Sequence, residues 1–258
     1  MASTGSVTHS PPFDRSTLSV VSEYEALSVQ AADIVTQCVS ACPAGPITLP
    51  TGETPRGMYE ELVRRIHDGS LDFSKVQFFC LDDYLGTSMT DEVSLTGWLN
   101  DVFLEPAHVP RQNIHLIPTE ASDPDAAAQR YDRDIVGAGG LELAVVGLGP
   151  NGHVGFNEPG STIDSRTRVV NLTQESREQN AAYYEGHQTI PPKAITMGLG
   201  TILEARRIVL IVAGESKAEI LKATLEGPIT PDVPGSFLRA TGHRLRVIVD
   251  AAAAAALT

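Results

Sequence analysis

Proton transfer at neutral pH needs an ionisable side chain tuned to that range, and two segments of this chain offer one. The first is Leu81-Asp82-Asp83-Tyr84-Leu85-Gly86, where two carboxylates close a strongly apolar run. Adjacent carboxylates repel, and a partly desolvated one holds its proton more tightly, which suits Asp82 to serve as a general base. The other reading of the pair is a cap on the turn that follows. The second segment is Gly147-Leu148-Gly149-Pro150-Asn151-Gly152-His153-Val154-Gly155-Phe156-Asn157-Glu158-Pro159-Gly160. Its glycines let the backbone turn close to a ligand and present His153. Histidine is the side chain best suited to move protons near neutrality, and Asn151 and Glu158 frame it as orienting partners. A purely structural histidine is the alternative.

A third segment suits anion binding. In Leu49-Pro50-Thr51-Gly52-Glu53-Thr54-Pro55 an apolar run gives way to a helical pattern. Gly52 permits turns closed to other residues, and Thr51 and Thr54 add hydroxyls. With Thr54 as cap and Pro55 in the first turn, backbone N–H groups and the helix dipole would face outward toward a phosphate. A capped helix start without a ligand is the plainer reading. Lys217, in Gly214-Glu215-Ser216-Lys217, follows another apolar run and is placed to reach the same anion or to lie solvated on a helix.

Gly147, Gly149 and Gly152 also fit the G-x-G-x-x-G dinucleotide fingerprint, which requires a helix to start at once. Gly155, Asn157, Pro159 and Gly160 oppose such a helix. The His153–Glu158 spacing matches no zinc signature, and neither a nucleophile elbow nor a phosphate-binding P-loop is present. These patterns point to neither a zinc site nor a dinucleotide.

These residues need a scaffold that brings them together. Short apolar runs occur at 47–49, 76–81, 114–117, 143–146, 208–212 and 247–249. Most are continuously apolar and rich in β-branched residues, as parallel strands covered on both faces are. Amphipathic stretches at 22–41, 57–68, 92–104, 124–136 and 216–225 separate them. The alternation predicts a doubly wound, mostly parallel α/β sheet with helices on both faces, Rossmann-like in outline. Ligands of such sheets bind beyond the carboxyl ends of the strands, where all the segments above lie. Residues 1–15, rich in Ser, Thr and Pro, read as a disordered tail preceding one domain over 16–258. From about 159 to 192 no strand is evident, and this excursion beside the glycine loop reads as a lid. Ala251–Ala256 predicts a short terminal helix.

The net charge of −13 argues against a nucleic-acid partner, while a small anionic metabolite is held by local donors. No stretch approaches the roughly 18 apolar residues of a membrane span, and the start is unlike a signal peptide. A cytoplasmic location follows. Cys38, Cys42 and Cys80 read as free thiols, with a weak metal or redox pair at Cys38 and Cys42 as the alternative.

Taken together, Leu49-Pro50-Thr51-Gly52-x-Thr54-Pro55, Asp82-x-Tyr84-x-Gly86 and Gly152-His153-x-x-Phe156-Asn157-Glu158-Pro159 resemble the glucosamine-6-phosphate deaminases. Ser165-Arg166-Thr167-Arg168, the 194–205 stretch and Gly214-x-x-Lys217 extend the likeness over about residues 18–250. The resemblance implies a hydrolase that converts glucosamine 6-phosphate to fructose 6-phosphate and ammonia, in amino sugar metabolism, with neither a metal nor an organic cofactor required. It assigns ring opening to His153, assisted by Asn151 and Glu158, and carbon-2 deprotonation to Asp82. Thr51, Gly52, Glu53, Thr54, Asp83, Gly152 and Lys217 form the implied substrate and phosphate set. Members often carry a lid arginine near Ala181 and Ala182, and its absence either weakens the phosphate grip or leaves it to Lys217 and Arg177. Asn151 stands where many members have aspartate. Val170 replaces a lysine of regulated members, which argues against an allosteric site. A hexosamine phosphate is the expected partner, and a homo-oligomer is left open. The alternatives are a 6-phosphogluconolactonase-type hydrolase, which usually has Asp-Glu-Arg at 82–84, and a non-catalytic sugar-phosphate sensor.

Overall fold

The computed structural model describes residues 13–182 and 189–258. In chain order its elements are β1 (Leu18–Val21), α1 (Tyr24–Ala41), β2 (Pro46–Thr48), α2 (Arg56–His67), β3 (Gln77–Phe79), β4 (Asp82–Tyr84), α3 (Leu95–Leu99) and β5 (Ile114–His115). There follow α4 (Pro124–Gly137), β6 (Leu143–Val146), β7 (Arg168–Asn171), α5 (Gln174–Ala182), β8 (Lys193–Thr196), α6 (Leu199–Leu203), β9 (Arg207–Val212), α7 (Ala218–Glu226) and β10 (Leu245–Asp250). The six apolar runs supply β2, β3, β5, β6, β9 and β10 of a seven-stranded sheet in the order β1-β10-β9-β6-β2-β3-β5, and all of its pairings are parallel; its edge strand β1 is not among the expected runs, because Leu18–Val21 is mostly half-exposed. This is the doubly wound α/β architecture that the alternation predicts.

The order of the strands locates the functional crevice. From β2 the chain steps outward through β3 to β5, then returns to β6 on the other side of β2 and continues to β9 and β10. The winding reverses between β2 and β6, and at such a reversal the loops leaving neighbouring strands diverge and open a cleft. The loop after β2 carries Thr51–Thr54, and the loop after β6 carries Gly147–His153. Continuous apolar strands make this possible: Leu143, Ala144, Val145 and Val146 of β6 are all fully buried.

The apolar run at 76–81 leads from one sheet into another. Gln77–Phe79 pairs within the parallel sheet, whereas Asp82–Tyr84 crosses into an antiparallel sheet ordered β4-β8-β7. The Met197 N–H donates to the Leu81 carbonyl at 2.8 Å where the chain passes between them. Here the sequence reading is corrected, because β7 lies inside the segment expected to lack strands. Arg168–Asn171 is short, contains only two apolar residues and is half-exposed along most of its length, so no periodicity marks it. Its position is set by pairing with β8. A small apolar cluster of Tyr84, Phe156, Leu172, Ile190 and Ala194 underlies this second sheet.

Three boundaries differ from expectation. The expected tail at residues 1–12 lies outside the described residues, and residues 13–15 are engaged. Phe13 packs against the core, and Asp14 caps the 3-10 turn Arg15–Thr17, with Ser16 N–H donating to it at 3.0 Å. The alanine run forms a 3-10 turn at Ala253–Ala256. At α2 the flanking residue is Pro55 and no side chain caps the helix, so Thr54 is not its cap. None of the described helices is long and apolar enough to cross a membrane.

Candidate active site

The loop after β2 is held from behind and open in front. Tyr59 of α2 donates its hydroxyl to the Pro50 carbonyl. Tyr24 of α1 donates to the Glu53 carbonyl at 3.0 Å and accepts from Gly57 N–H at 2.8 Å. Gly52 adopts φ +107°, a conformation costly for any residue with a Cβ. Among the described residues, none accepts a hydrogen bond from the N–H of Thr51, Gly52, Glu53 or Thr54. Successive unused amides at the start of a helix are a cradle for an anion. The Arg56 and Gly57 amides, by contrast, are taken by Glu53 O and Tyr24 Oη.

Along β4 successive side chains point to opposite faces, and the two aspartates divide accordingly. Asp82 lines the cleft and is buried. Burial first, and the neighbouring Asp83 charge second, push its carboxyl up to about 7, against the opposing Phe156 N–H. Asp83 faces away and accepts from Ser94 Oγ at 2.6 Å, Leu95 N–H at 2.9 Å and Thr96 N–H at 3.0 Å. It therefore seals the N-terminus of α3 and is not in the cleft, a correction to the expected binding set. A carboxylate beside those donors is stabilised by the helix dipole and by charge-assisted bonds.

The loop after β6 packs His153 against backbone. A Cβ at Gly149 would fall 2.1 Å from His153 Nε2, so only glycine lets the ring lie there. Gly155 does the same for the base: a Cβ would meet Asp82 Oδ2 at 2.9 Å, and its φ is +56°. Gly152 has a different duty. Its φ is +83°, its carbonyl accepts from Gly235 N–H at 2.7 Å, and it packs on Val233 outside the cleft lining. It therefore turns the loop and stays outside the cleft, a correction to the expected binding set.

Asn151 and Glu158 sit behind the imidazole. His153 Nδ1 lies 3.8 Å from Glu158 Oε2 and has no hydrogen-bond partner among the described residues. Asn151 Nδ2 donates to Glu158 Oε2 at 2.7 Å, and Asn151 Oδ1 accepts from His153 N–H at 3.1 Å. Ser176 of α5 donates to the other oxygen of Glu158. Burial lowers the proton affinity of His153; Glu158 opposes this and Lys217 adds to it. The ring is neutral at pH 7, able to accept a proton and return it. Lys217, half-buried, is also lowered by burial.

Pro50–Thr54, Asp82, His153 and Lys217 line one cleft of about 260 Å³. A space of that size admits a small metabolite with both ends held. Sequence reasoning missed Arg56, Trp98 and Asn180, which also line it. Arg56 has a signal in hindsight, since it opens the helix that follows the cradle. Trp98 and Asn180 lie on segments with no motif of their own. Arg177, expected at the phosphate, donates to the Ile190 carbonyl at 3.2 Å and does not line the cleft. Among the described residues no three His, Cys, Asp or Glu side chains converge as metal ligands. The three cysteines are free, with Cys80 buried and its thiol pushed up to about 12 by burial.

Residues 22–247 match the family described as glucosamine-6-phosphate isomerases/6-phosphogluconolactonase. The chain belongs to this family. Within the family it is 42% identical over 233 residues to a glucosamine-6-phosphate deaminase of Bacillus velezensis, covering 90% of this chain and 95% of that one. It is 38% identical over 231 residues to one of Thermoanaerobacter sp., covering 90% and 91%. A solved monomeric glucosamine-6-phosphate deaminase superposes with a TM-score of 0.89 at 35% identity, over 93% of this chain and 99% of that one. A 6-phosphogluconolactonase from Trypanosoma cruzi superposes with a TM-score of 0.75 at 19% identity, over 97% and 99%, a likeness of fold.

Proposed function

We propose that the protein is a glucosamine-6-phosphate deaminase that converts glucosamine 6-phosphate and water to fructose 6-phosphate and ammonia. One observation carries this reading. A buried carboxyl with its proton affinity raised to about 7 shares a cleft with a neutral imidazole and with four unused amides beside a lysine.

The phosphate seats on the Thr51–Thr54 amides and the Lys217 ammonium, which anchors the sugar so that its reacting end meets the two proton carriers. His153 accepts the proton of the carbon-1 hydroxyl and delivers it to the ring oxygen, opening the ring to the aldehyde. Glu158, held by Asn151 and Ser176, steadies the ring as positive charge develops. Asp82 then removes the carbon-2 proton. The electron pair forms the carbon-1–carbon-2 double bond, and the aldehyde oxygen becomes an enol. The proton returned to carbon 1 shifts the double bond to carbon 2 and nitrogen. Water adds to that imine and ammonia leaves, so the net reaction consumes one water, and in that sense the enzyme is a hydrolase. Each step uses proton carriers of the chain and water.

Residues 159–192 we read as a cover over the cleft. Asn180 of α5 lines it and Ser176 of the same helix reaches Glu158; residues 183–188 of this segment lie outside the described ones. The test is ammonia release by the purified protein from glucosamine 6-phosphate and its epimers, in parallel with hydrolysis of 6-phosphogluconolactone. Ammonia from a hexosamine phosphate supports the reading. Silence on all of them, with lactone hydrolysis, overturns it.

A further inference from the structure

The anion cradle contains an acid of its own. Glu53 offers one of the four unused amides, yet its side chain brings a negative charge to the same turn. Arg56, one helical turn on, holds that carboxylate by both oxygens: Nη2 to Oε1 at 2.8 Å and Nε to Oε2 at 2.9 Å. The guanidinium carbon lies 5.3 Å from the centre of the Trp98 ring, within reach of a cation–π contact. Glu53, Arg56 and Trp98 all line the cleft. The pair is half exposed to solvent, where an ion pair adds little to folding stability.

We propose that Arg56 is a positioning residue that pins and neutralises the Glu53 carboxylate, so that the Thr51–Thr54 loop meets a phosphate as donors alone. The proposal rests on the reading of this loop as the phosphate site. Left unpaired beside a dianion, one carboxylate weakens its binding, by up to roughly tenfold at low salt.

A two-by-two set of variants tests it, with KM and kcat measured for glucosamine 6-phosphate. R56A is expected to raise KM by roughly three- to tenfold with kcat changed less than twofold, and the rise shrinks in high salt. E53Q lowers KM, because it leaves the guanidinium unneutralised beside the anion. The double variant E53Q/R56A returns KM to near the wild-type value. A double variant as weak as R56A overturns the proposal, since Arg56 would then be gripping the phosphate itself. An unchanged KM in R56A overturns it as well. Calorimetric titration of inorganic phosphate into the same four proteins gives the order of affinities without turnover. Proteins that bind phosphate in the expected order but release no ammonia overturn only the deaminase reading.

Discussion

Asp82→Asn separates the catalytic role of this carboxyl from its cost to the fold. In the folded protein the side chain keeps its proton up to about pH 7, whereas in the unfolded chain it loses it near 3.8. Between those values the native state holds an extra proton, so stability contributed at acid pH is lost as pH rises through 7. Each pH unit in that window is worth about 1.4 kcal/mol. From pH 5 to pH 8 the wild type should therefore lose about 2–3 kcal/mol relative to Asp82→Asn, whose amide does not titrate. Urea unfolding of both proteins at pH 5, 6, 7 and 8 measures the difference. Deamination should be abolished in the variant, and in the wild type kcat/KM should rise with pH through about 7 as the base is freed. A stability difference independent of pH would refute the burial argument. Exchange of the carbon-2 proton with solvent persisting in the variant would refute the role as base.

Gly149→Ala places a methyl where the His153 ring lies and should lower kcat about 100-fold with the circular dichroism spectrum retained. Asp83→Asn weakens the seal on α3 and should cost about 2–3 kcal/mol in urea unfolding. Because Asp83 raises Asp82, the same variant should move the acid limb of kcat/KM to lower pH. Lys217→Ala should raise KM by roughly 10- to 150-fold through lost charge-assisted bonds, and an unchanged KM would place the phosphate elsewhere.

Six of the seven strands of the parallel sheet were legible because buried parallel strands leave continuous apolar runs, as in Leu143–Val146 and Ile208–Val212, whereas the edge strand β1 is mostly half-exposed and was not legible. Of the helices, α1, α2, α3, α4 and α7 were legible from an apolar face, whereas polar α5 and the five-residue, fully buried α6 carry no such stripe and were not legible. The loops after β2 and β6 were legible because glycine marks backbone that other residues cannot adopt. β7 was not, since four half-exposed residues carry no period and only their partner strand defines them. Asp82 and Asp83 are chemically alike and adjacent. That one is the cleft carboxyl and the other a helix seal depends on which face of β4 meets α3, a tertiary fact. Gly149 and Gly152 likewise look equivalent in order along the chain, yet one lies under His153 and the other against Val233. Residue type and spacing determined which groups could move protons and hold an anion. Packing decided which of them face the cleft, because orientation depends on neighbours far away in the chain.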